Sequence, residues 1–539
     1  MTTRVAVAAP NLAAAQAGLR VAAEGGGAVD AAVAAALVTM VTEPGIVSLA
    51  GGAYVSVWPA GAEAAVTVDG QVAMPGRSRP PGRPVDLREI RTEYGAGVTM
   101  TVGPGSVAVP GALAALDLSQ QRFGRLPWGE VVQPAQEAAR SGFPLGSAAA
   151  YYLPFVRDSV FAWDAETVRS IRRADGSWLE AGDRMVLPGL DETVRQLAEE
   201  GARALRDGDL ATRFAADMAE RGGLVTAADL ADYRAMERPA LAVRSGAWDL
   251  RTNPPPSIGG PVLAAMLHLL GEHVERGRTP DAGLMVAVQR QVLAARHERL
   301  DLATGSSGRA AAAVALLDEL GWVGTGSPST AHVSAVDADG GACAITTSYG
   351  YGSGATLPGT GLWLNNCLGE HELNRGLQPL QPGDRLASNM APTVGRRRDG
   401  AVLALGSPGA DRITTALAQV LVALGQGAGL QEAVDRPRLH VHLEGDVVRI
   451  EAEDDLALTD ADLTVTPDSP VGDTARSGSG SGNGSGQDSG RGSGQALPVH
   501  RHHRQSMYFG GVGAALRLND VELEAAADPR RAGAALISP

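Results

Sequence analysis

The stretch GSPSTAHVSAVDADGGACAITTSYGYGSGATLPGTGLWLNN, Gly326–Asn366, contains the pattern that decides the fold. A small, flexible segment, Gly326–Ser329, ends where Thr330 opens an apolar run. Two β-rich runs flank the turn Asp337–Gly341, which predicts an antiparallel hairpin. Thr330 is therefore either an ordinary strand residue or, if the chain is cut before it, a reactive N-terminus.

A free N-terminal threonine has the chemistry of a nucleophile. Its hydroxyl is weak alone, but its own α-amine can accept the proton. That amine titrates near ~7.7–8.0, so a useful fraction is neutral at pH 7. The β-methyl restricts χ1 and aims the hydroxyl. Cleavage of the Ser329–Thr330 bond would thus create the base and expose the nucleophile together.

Composition excludes several classes of function. The 539 residues carry a formal net charge of −14, which opposes binding to nucleic acid or to an anionic membrane surface. There is no lysine, so Schiff-base and Walker A lysines are excluded. No apolar run approaches the 18 residues of a membrane span. The two cysteines, Cys343 and Cys367, are expected to be buried thiols and not a disulfide framework.

The first residues resemble a signal peptide only in part. Pro10, Asn11 and Gln16 interrupt the apolar run that would follow the early arginine. We therefore expect a cytoplasmic protein, with secretion left open.

Periodicity predicts several helices and strands. A glycine-led helix is expected over Gly25–Val41 and a strand over Gly51–Trp58. Further helices are expected within Leu126–Leu145 and Leu190–Leu205, after an N-cap at Thr226, and in the later part of Thr252–Leu270, which begins with a proline-rich loop and Gly-Gly. Gly400–Gly425 reads as strand, glycine turn and helix, and such a turn presents backbone N–H groups to an anion.

Two segments are predicted to be surface features. The Gly/Ser stretch Arg476–Gln495 has the composition of a disordered linker within a domain. His500–Arg504, HRHHR, lacks zinc-type Cys/His spacing and has no carboxylate close in sequence, so a solvated loop is favoured over a metal site. No metal and no cofactor are expected.

The common catalytic motifs are missing. No G-x-S-x-G elbow, H-E-x-x-H helix, P-loop or dinucleotide fingerprint stands between elements that would support it. Seven other segments do follow one family's order: AAEGGGAVDAAVAAALVTMVTEPGIVSLAGGAYV, VAVPGALAAL, NPPPSIGG, STAHVSAVDADGGA, RLASNMAPTV, GSPGADRI and DPRRAGAA. Together these blocks resemble the γ-glutamyltranspeptidases of the N-terminal-nucleophile hydrolase superfamily, over nearly the whole chain.

The resemblance implies an α+β fold, the four-layer αββα sandwich of N-terminal-nucleophile hydrolases. It also implies self-processing into a large fragment, residues 1–329, and a small fragment, residues 330–539, which stay associated as a heterodimer. The linker at residues 476–495 would lie inside the small fragment.

Site residues are implied by the same resemblance. Thr330 falls on the nucleophile and Ser348 on a supporting hydroxyl. Gly409 and Ala410 fall on the oxyanion-hole pair, where alanine replaces a glycine but keeps the N–H donor. Ser388 and Asn389 fall on a Ser-Ser pair that contacts the substrate, and asparagine can still form hydrogen bonds there.

The positions that grip a glutamate head depart from the family pattern. Pro80 aligns with the arginine that binds the α-carboxylate, although Arg79 is one place away. Glu370 aligns with the aspartate that holds the α-amine. Gly350 and Cys367 align with an asparagine and a glutamine. The catalytic residues thus match the family, and the substrate clamp does not.

The resulting prediction is a self-processing γ-glutamyltransferase or glutathione hydrolase-like enzyme that cleaves a γ-glutamyl-type amide through an acyl-enzyme on Thr330. Water or an amine would accept the acyl group. A glutaryl- or β-lactam-type acylase of the same superfamily is the alternative. A catalytically dead scaffold, or an unrelated α/β binding protein in which Thr330 is only a strand residue, also remains open.

Overall fold

The computed structural model describes residues 3–94, 97–300, 303, 305–320, 330–371, 373, 380–444, 447–463 and 496–539. The predicted linker, Arg476–Gln495, and the residue before the predicted cleavage point, Ser329, lie outside these ranges.

The strands are short and spread along the whole described chain. They are β1 Val5–Ala9, β2 Gly52–Trp58, β3 Val66–Gly70, β4 Arg88–Thr92, β5 Val98–Val102, β6 Phe143–Pro144, β7 Arg184–Met185, β8 Met236–Pro239, β9 Leu241–Ser245, β10 Trp248–Thr252, β11 Ala331–Asp337, β12 Ala342–Ser348, β13 Thr356–Leu357, β14 Leu362–Trp363, β15 Thr393–Arg397, β16 Val402–Gly406, β17 Leu439–Glu444, β18 Val447–Glu453, β19 Val499–His502, β20 Gly513–Arg517, β21 Leu523–Ala527 and β22 Ala534–Ile537.

The helices lie mostly before the predicted cleavage point. They are α1 Leu12–Ala23, α2 Ala28–Thr42, α3 Ala112–Phe123, α4 Trp128–Ser141, α5 Ser147–Val156, α6 Ala165–Ser170, α7 Leu190–Glu200, α8 Asp209–Arg221, α9 Ala227–Asp232, α10 Gly259–Glu275, α11 Ala282–Arg299, α12 Gly305–Leu320, α13 Arg412–Gly425, α14 Leu430–Asp435 and α15 Asp460–Leu463.

Two antiparallel sheets form the centre of the described structure. The first has the strand order β22-β1-β11-β12-β2-β3-β8, and the second has the order β21-β20-β16-β15-β10-β9. Both sheets contain strands from before and after Thr330 that pair directly: β11 lies beside β1, β12 beside β2, and β15 beside β10. The two predicted fragments therefore interleave within one pair of sheets.

The sheets face each other across a thin layer of mostly small residues. That layer consists of Ala6, Trp58, Ala65, Val336, Ala342, Ala344, Val394, Val402, Ala404, Ala515 and Leu523. Small side chains let the two sheets approach closely at their facing surfaces. On the outer faces, α1, α2 and α3 pack on the first sheet, with α4 packed on α2, and α10 and α13 pack on the second. The predicted four-layer αββα sandwich is confirmed.

The hairpin predicted from the opening stretch lies at the centre of the first sheet. Ala331 pairs with Thr347 and Val336 with Ala342, and Gly340 takes φ 90° in the turn. Every residue of β11 is buried. This follows from its position, since a strand in the middle of a sheet with another layer on each face has no solvent side.

The helix expected within Gly25–Val41 is α2, and all of its residues are buried. An alanine-rich helix suits this place because its small surface lets the sheet, α1 and α4 pack around it. Its N-terminus is held by two buried carboxylates. Asp30 accepts from the Gly27 amide at 2.8 Å, and Asp337 of β11 accepts from the Ala28 amide at 2.9 Å.

Most other local expectations are confirmed, with differences at the ends. Thr226 caps α9 by accepting from the Asp229 amide. The two helices expected within Leu126–Leu145 and Leu190–Leu205 are shorter, because each ends at a glycine with positive φ, Gly142 or Gly201. None of the described helices combines the length and apolar character that crossing a membrane requires.

One sequence expectation was wrong. His500–Arg504 was expected to be a solvated loop, but its first three residues end the strand β19, which pairs in parallel with β18. The register sets Glu451 opposite His500, so a carboxylate distant in sequence becomes a neighbour in space. Sequence spacing could not show this contact.

Candidate active site

Thr330 lies directly before the central strand β11 and is only 2% exposed. Because Ala331 pairs with Thr347, the next step of the register sets Thr330 opposite Ser348, the last residue of β12. Ser348 in turn pairs with Gly52 of β2. The fold thus brings the predicted nucleophile and the predicted supporting hydroxyl to facing positions on neighbouring strands.

His332 follows two residues later, and its ring is fully engaged. Nδ1 lies 2.8 Å from Thr346 Oγ1, and Nε2 lies 2.7 Å from Ser334 Oγ. Since the Ser334 hydroxyl donates to the Gly513 carbonyl, His332 must donate from Nε2 and accept at Nδ1. Burial lowers the pKa of His332 to about 3, so the ring stays neutral. His332 is therefore not a general base for Thr330.

The predicted oxyanion turn joins β16 to α13. Gly409 has φ 127° and Ala410 has φ 63°, so both residues are in the left-handed half of backbone space. No described residue accepts a hydrogen bond from either amide N–H. The carbonyls of Gly409 and Ala410 instead accept from Arg412 and Ile413, which begin the helix. The turn leaves two adjacent donors at a helix N-terminus, the arrangement that stabilises an oxyanion.

Packing between the two sheets places this turn near Thr330. A side chain on Gly406, the last residue of β16, would overlap the His332 ring. Gly406 must therefore be glycine for the ring to fit, and the ring fixes where the turn begins. One cavity is lined by Thr330 and His332 together with Pro408 of the turn.

Glu43 lines the same cavity, at the end of α2. Its Oε1 accepts from Asn11 Nδ2 at 2.7 Å, while no described residue donates to its buried Oε2. Burial raises the pKa of Glu43 to about 7, and the hydrogen bond from Asn11 and the charge of Arg531 oppose that rise only in part. A carboxyl that titrates near neutral pH beside Thr330 is a candidate functional group.

A series of close contacts runs from Ser348 through two glycines towards Ser388 and Asn389, the pair predicted to contact the substrate. A side chain on Gly51 would overlap the Ser348 carbonyl, and one on Gly52 would lie 2.6 Å from Gln71 Oε1. Gln71 donates from Nε2 to the Ala387 carbonyl at 3.1 Å. Because Gly51 and Gly52 have no side chains, Ser348 and Gln71 can both pack closely against this strand. Gln71 in turn binds Ala387, the residue directly before Ser388 and Asn389.

Ser388 and Asn389 are both buried and pack against the start of α10. The Ser388 carbonyl accepts from the Ile258 and Gly259 amides, both at 3.0 Å. A side chain on Gly259 would overlap the Asn389 carbonyl. The proline-rich loop thus fixes the backbone of this pair.

Glu370, the acidic residue of the predicted clamp, lies near Ser348. Glu370 is 4% exposed, and a Cβ on Gly350 would lie 2.6 Å from its Oε1. Gly350 donates to Ser348 Oγ at 3.2 Å. Burial, followed by the nearby Glu370 charge, raises the pKa of the Cys367 thiol well above its usual range. Glu370, Gly350 and Cys367 form one cluster beside Ser348.

Arg79 is placed differently. Its Nη2 donates to the carbonyls of Arg83 at 2.8 Å and Pro84 at 3.0 Å, both in its own loop. The neighbouring Pro80 is exposed. The structure therefore unites Glu370 with Ser348 but gives Arg79 no contact with either.

Sequence reasoning missed the roles of Glu43 and His332, although both stand inside the quoted family-like blocks. Glu43 is the first acidic residue after the long apolar run of α2. An acid in such surroundings is rarely buried unless it has a partner or a function. That signal was present and could have singled it out.

Comparison with known proteins agrees with this geometry. The sequence profile of the family described as Gamma-glutamyltranspeptidase matches residues 14–306 and 317–465. The chain belongs to this family. Membership confirms the prediction of a γ-glutamyltransferase-like enzyme, an acyltransferase or amide hydrolase.

Two curated relatives illustrate the range of this γ-glutamyltranspeptidase family. The glutathione hydrolase proenzyme of Escherichia coli (strain K12) is 27% identical over 490 residues, which cover 83% of this chain and 82% of the relative. The Acylase ACY 1 proenzyme of Pseudomonas sp. (strain V22) is 29% identical over 475 residues, covering 81% and 82%.

A solved structure supports the fold independently. The cephalosporin acylase from Bacillus halodurans superimposes with a TM-score of 0.74 at 20% identity, covering 99% of this chain and 96% of the other.

The turn can be tested with two matched substitutions. A Cβ on Gly409 would lie 2.6 Å from the Gly510 Cα, so Gly409→Ala must move the turn. We expect a kcat lowered by about 10²–10³, the usual cost of a lost oxyanion donor. Ala410→Gly keeps its N–H and relieves a left-handed alanine, so its kcat should stay within about threefold of the wild type, since the donors that set the oxyanion term remain. A folded Gly409→Ala enzyme with unchanged kcat would contradict the assignment.

Glu43 predicts a pH dependence of stability. The unfolded carboxyl loses its proton near ~4.3, whereas the folded one keeps it up to about pH 7, so rising pH through this window destabilises the fold. Glu43→Gln removes that loss and can keep the acceptor for Asn11. We expect the variant to gain up to about 3 kcal/mol relative to wild type at pH 8, compared with the same difference at pH 4. Equal differences in denaturant unfolding at the two pH values would refute the raised pKa.

Proposed function

We propose that this protein is a self-processing amide acyltransferase or hydrolase in which Thr330 is the nucleophile. The observation that carries the proposal is the position of Thr330. It lies directly before the central strand, at the position opposite Ser348, and lines a cavity with Pro408 of the Gly409–Ala410 turn. These are the three parts that amide cleavage through an acyl-enzyme requires: a nucleophile, a hydroxyl partner and an oxyanion site.

The proton of the Thr330 hydroxyl needs an acceptor. His332, the nearest imidazole in sequence, is neutral with both ring nitrogens engaged. The α-amine that cleavage would release is therefore the best base, because it titrates near ~7.7–8.0 and belongs to the same residue. This requirement explains why processing has to precede turnover.

The proposed reaction has two steps. The Thr330 Oγ attacks the carbonyl of the donor amide, and the amides of Gly409 and Ala410 stabilise the oxyanion. The amine leaves with a proton, and an ester remains on Thr330. Water or an acceptor amine then attacks this ester and restores the hydroxyl. No metal or cofactor takes part in these steps.

The fragments would stay together after cleavage. β11 is paired with β1 on one side, and β12 is paired with β2, so the small fragment contributes two central strands to a sheet whose other partners precede residue 329. Cutting one bond removes none of these pairs. A heterodimer of the large and small fragments is the expected mature form.

Processing is tested by mass spectrometry of the purified protein. Wild type should give two chains, one ending at Ser329 and one beginning at Thr330. Thr330→Ala removes the attacking hydroxyl and should give a single uncut chain.

Thr330→Ser is the matched control, because it keeps the hydroxyl but loses the methyl that orients it. It should still be cut, at a lower rate. Efficient cutting of Thr330→Ala at the same bond would show that processing is not intramolecular catalysis by this residue.

The acyl donor is proposed to be a γ-glutamyl-type amide, in line with the family and with Glu370. Glu370 is buried close to Ser348 and could meet an α-ammonium group. A buried ammonium gains from such a partner and loses several kcal/mol without one.

A second candidate is an acylase for donors that lack the α-amino-acid head. The specific observation concerns the described residues at the aligned clamp positions: Arg79 donates into its own loop, and Gly350 and Cys367 offer neither a cation nor an amide side chain to an α-carboxylate. The acylase relative shows that the family includes proteins of that name.

A matched pair of chromogenic amides, γ-glutamyl and 4-aminobutyryl, separates the two donors because they differ only in the α-carboxylate. Since the aligned positions offer that carboxylate no partner, we expect the 4-aminobutyryl amide to have an equal or higher kcat/KM. Arg79→Ala should leave the ratio unchanged, since its guanidinium donates to carbonyls of its own loop. A large γ-glutamyl advantage that Arg79→Ala abolishes would contradict this reading and make Arg79 the clamp.

A further inference from the structure

One face of the three-stranded sheet β17-β18-β19 gathers histidines outside the proposed active site. The register places His440 opposite Glu451 and Glu451 opposite His500, so side chains of three strands point to the same face. Two groups of three ligand-type residues lie there among the described residues: Asp411 with His440 and His442, and Glu451 with His500 and His502. The second group is the more compact.

Both imidazoles of that group meet the same carboxylate oxygen. His500 Nδ1 lies 2.7 Å and His502 Nε2 lies 2.6 Å from Glu451 Oε2. In the Asp411 group, by contrast, His440 Nε2 is 3.4 Å from the carboxylate, which is already paired with Arg412. Two imidazole nitrogens and a carboxylate oxygen are the donor set of a His₂Glu zinc site.

The ligands are held before any ion binds. Glu451 is 1% exposed, and its other oxygen, Oε1, accepts from Arg449 Nε at 2.5 Å. The His502 ring stacks on Tyr508 with centroids 4.4 Å apart and 17° between planes. Such support fixes the orientation of ligands and is typical of metal sites.

His500 keeps 58% of its side chain exposed, which leaves one side of the cluster open to an entering ion.

We propose that Glu451 Oε2, His500 Nδ1 and His502 Nε2 bind a Zn²⁺ ion, with solvent completing the coordination. Ligand atoms around a tetrahedral zinc with bonds of ~2.0–2.1 Å lie about 3.3 Å apart. The present separations of 2.6 and 2.7 Å are hydrogen bonds in which each imidazole donates to the carboxylate. When zinc binds, each ring carries its proton on the other nitrogen, and small side-chain movements open the separations to that distance. The site is structural, because none of these residues lines the cavity with Thr330.

This proposal revises the expectation of no metal drawn from the HRHHR segment. The histidines are the same, but their carboxylate partner comes from a strand about 50 residues earlier in the chain.

The test uses the full-length, untagged protein, stripped with EDTA and titrated with ZnCl₂ by isothermal calorimetry, with zinc content measured after dialysis. Wild type should bind one Zn²⁺ per chain at this site. Loss of a direct ligand in His500→Ala or Glu451→Gln should weaken binding by at least about 100-fold, since loss of a supporting partner already costs 10–100-fold.

His503→Ala is the matched control. His503 is exposed in the same segment, and its Nδ1 faces the Arg504 carbonyl and not Glu451. It should bind zinc as wild type does.

A second readout separates binding from misfolding. Zinc should raise the Tm of wild type and of His503→Ala but not that of His500→Ala, whose exposed ring contributes little to packing. Unchanged zinc affinity in His500→Ala, or no binding by wild type up to about 100 µM zinc, would overturn the proposal.

Discussion

The contact between the His332 ring and Gly406 is the constraint on which the proposed site depends. Thr330 and the Gly409–Ala410 turn belong to strands of different sheets, so no hydrogen-bond ladder sets the distance between them. The buried imidazole fills the space that a side chain at position 406 would take, and its two hydrogen bonds lock its orientation. Sheet-to-sheet packing at this point therefore sets the position of Thr330 relative to the proposed oxyanion turn. The ring achieves this by remaining neutral, which removes it from the proton chemistry.

Local signals in the sequence were sufficient for the elements around the site. The Asp337–Gly341 turn, the glycine-led α2 and the strand–turn–helix of Gly400–Gly425 each have a short-range cause in backbone preference, and each lies where it was predicted. The αββα architecture required the family resemblance, because periodicity alone does not say which strands become neighbours. Gly51–Trp58 shows the limit: it was recognised as a strand, but its alternating pattern gave no hint that both faces are buried.

What the sequence could not supply were contacts between distant segments. Glu451 reaches His500 only because β18 and β19 pair in parallel, and Glu43 faces the Thr330 cavity only because α2 ends there. The alignment that put Arg79 one residue from a carboxylate-binding position could not reveal that its guanidinium is occupied by its own loop. In each case the chemistry of the residue was evident and its neighbour was not.

The pairing of strands from both fragments within each sheet also explains how the protein could stay stable after a cut before Thr330. A strand at a sheet edge could detach after cleavage, but β11 is enclosed between β1 and β12, and its residues are buried on both faces. Its new terminus would be fixed by cross-strand pairing and by the packing of His332, not by the peptide bond that is lost. The free α-amine would then be held beside its own hydroxyl at little further entropic cost, since the rest of the strand is already ordered. The same burial that stabilises the sheet would thus hold the proposed nucleophile in place.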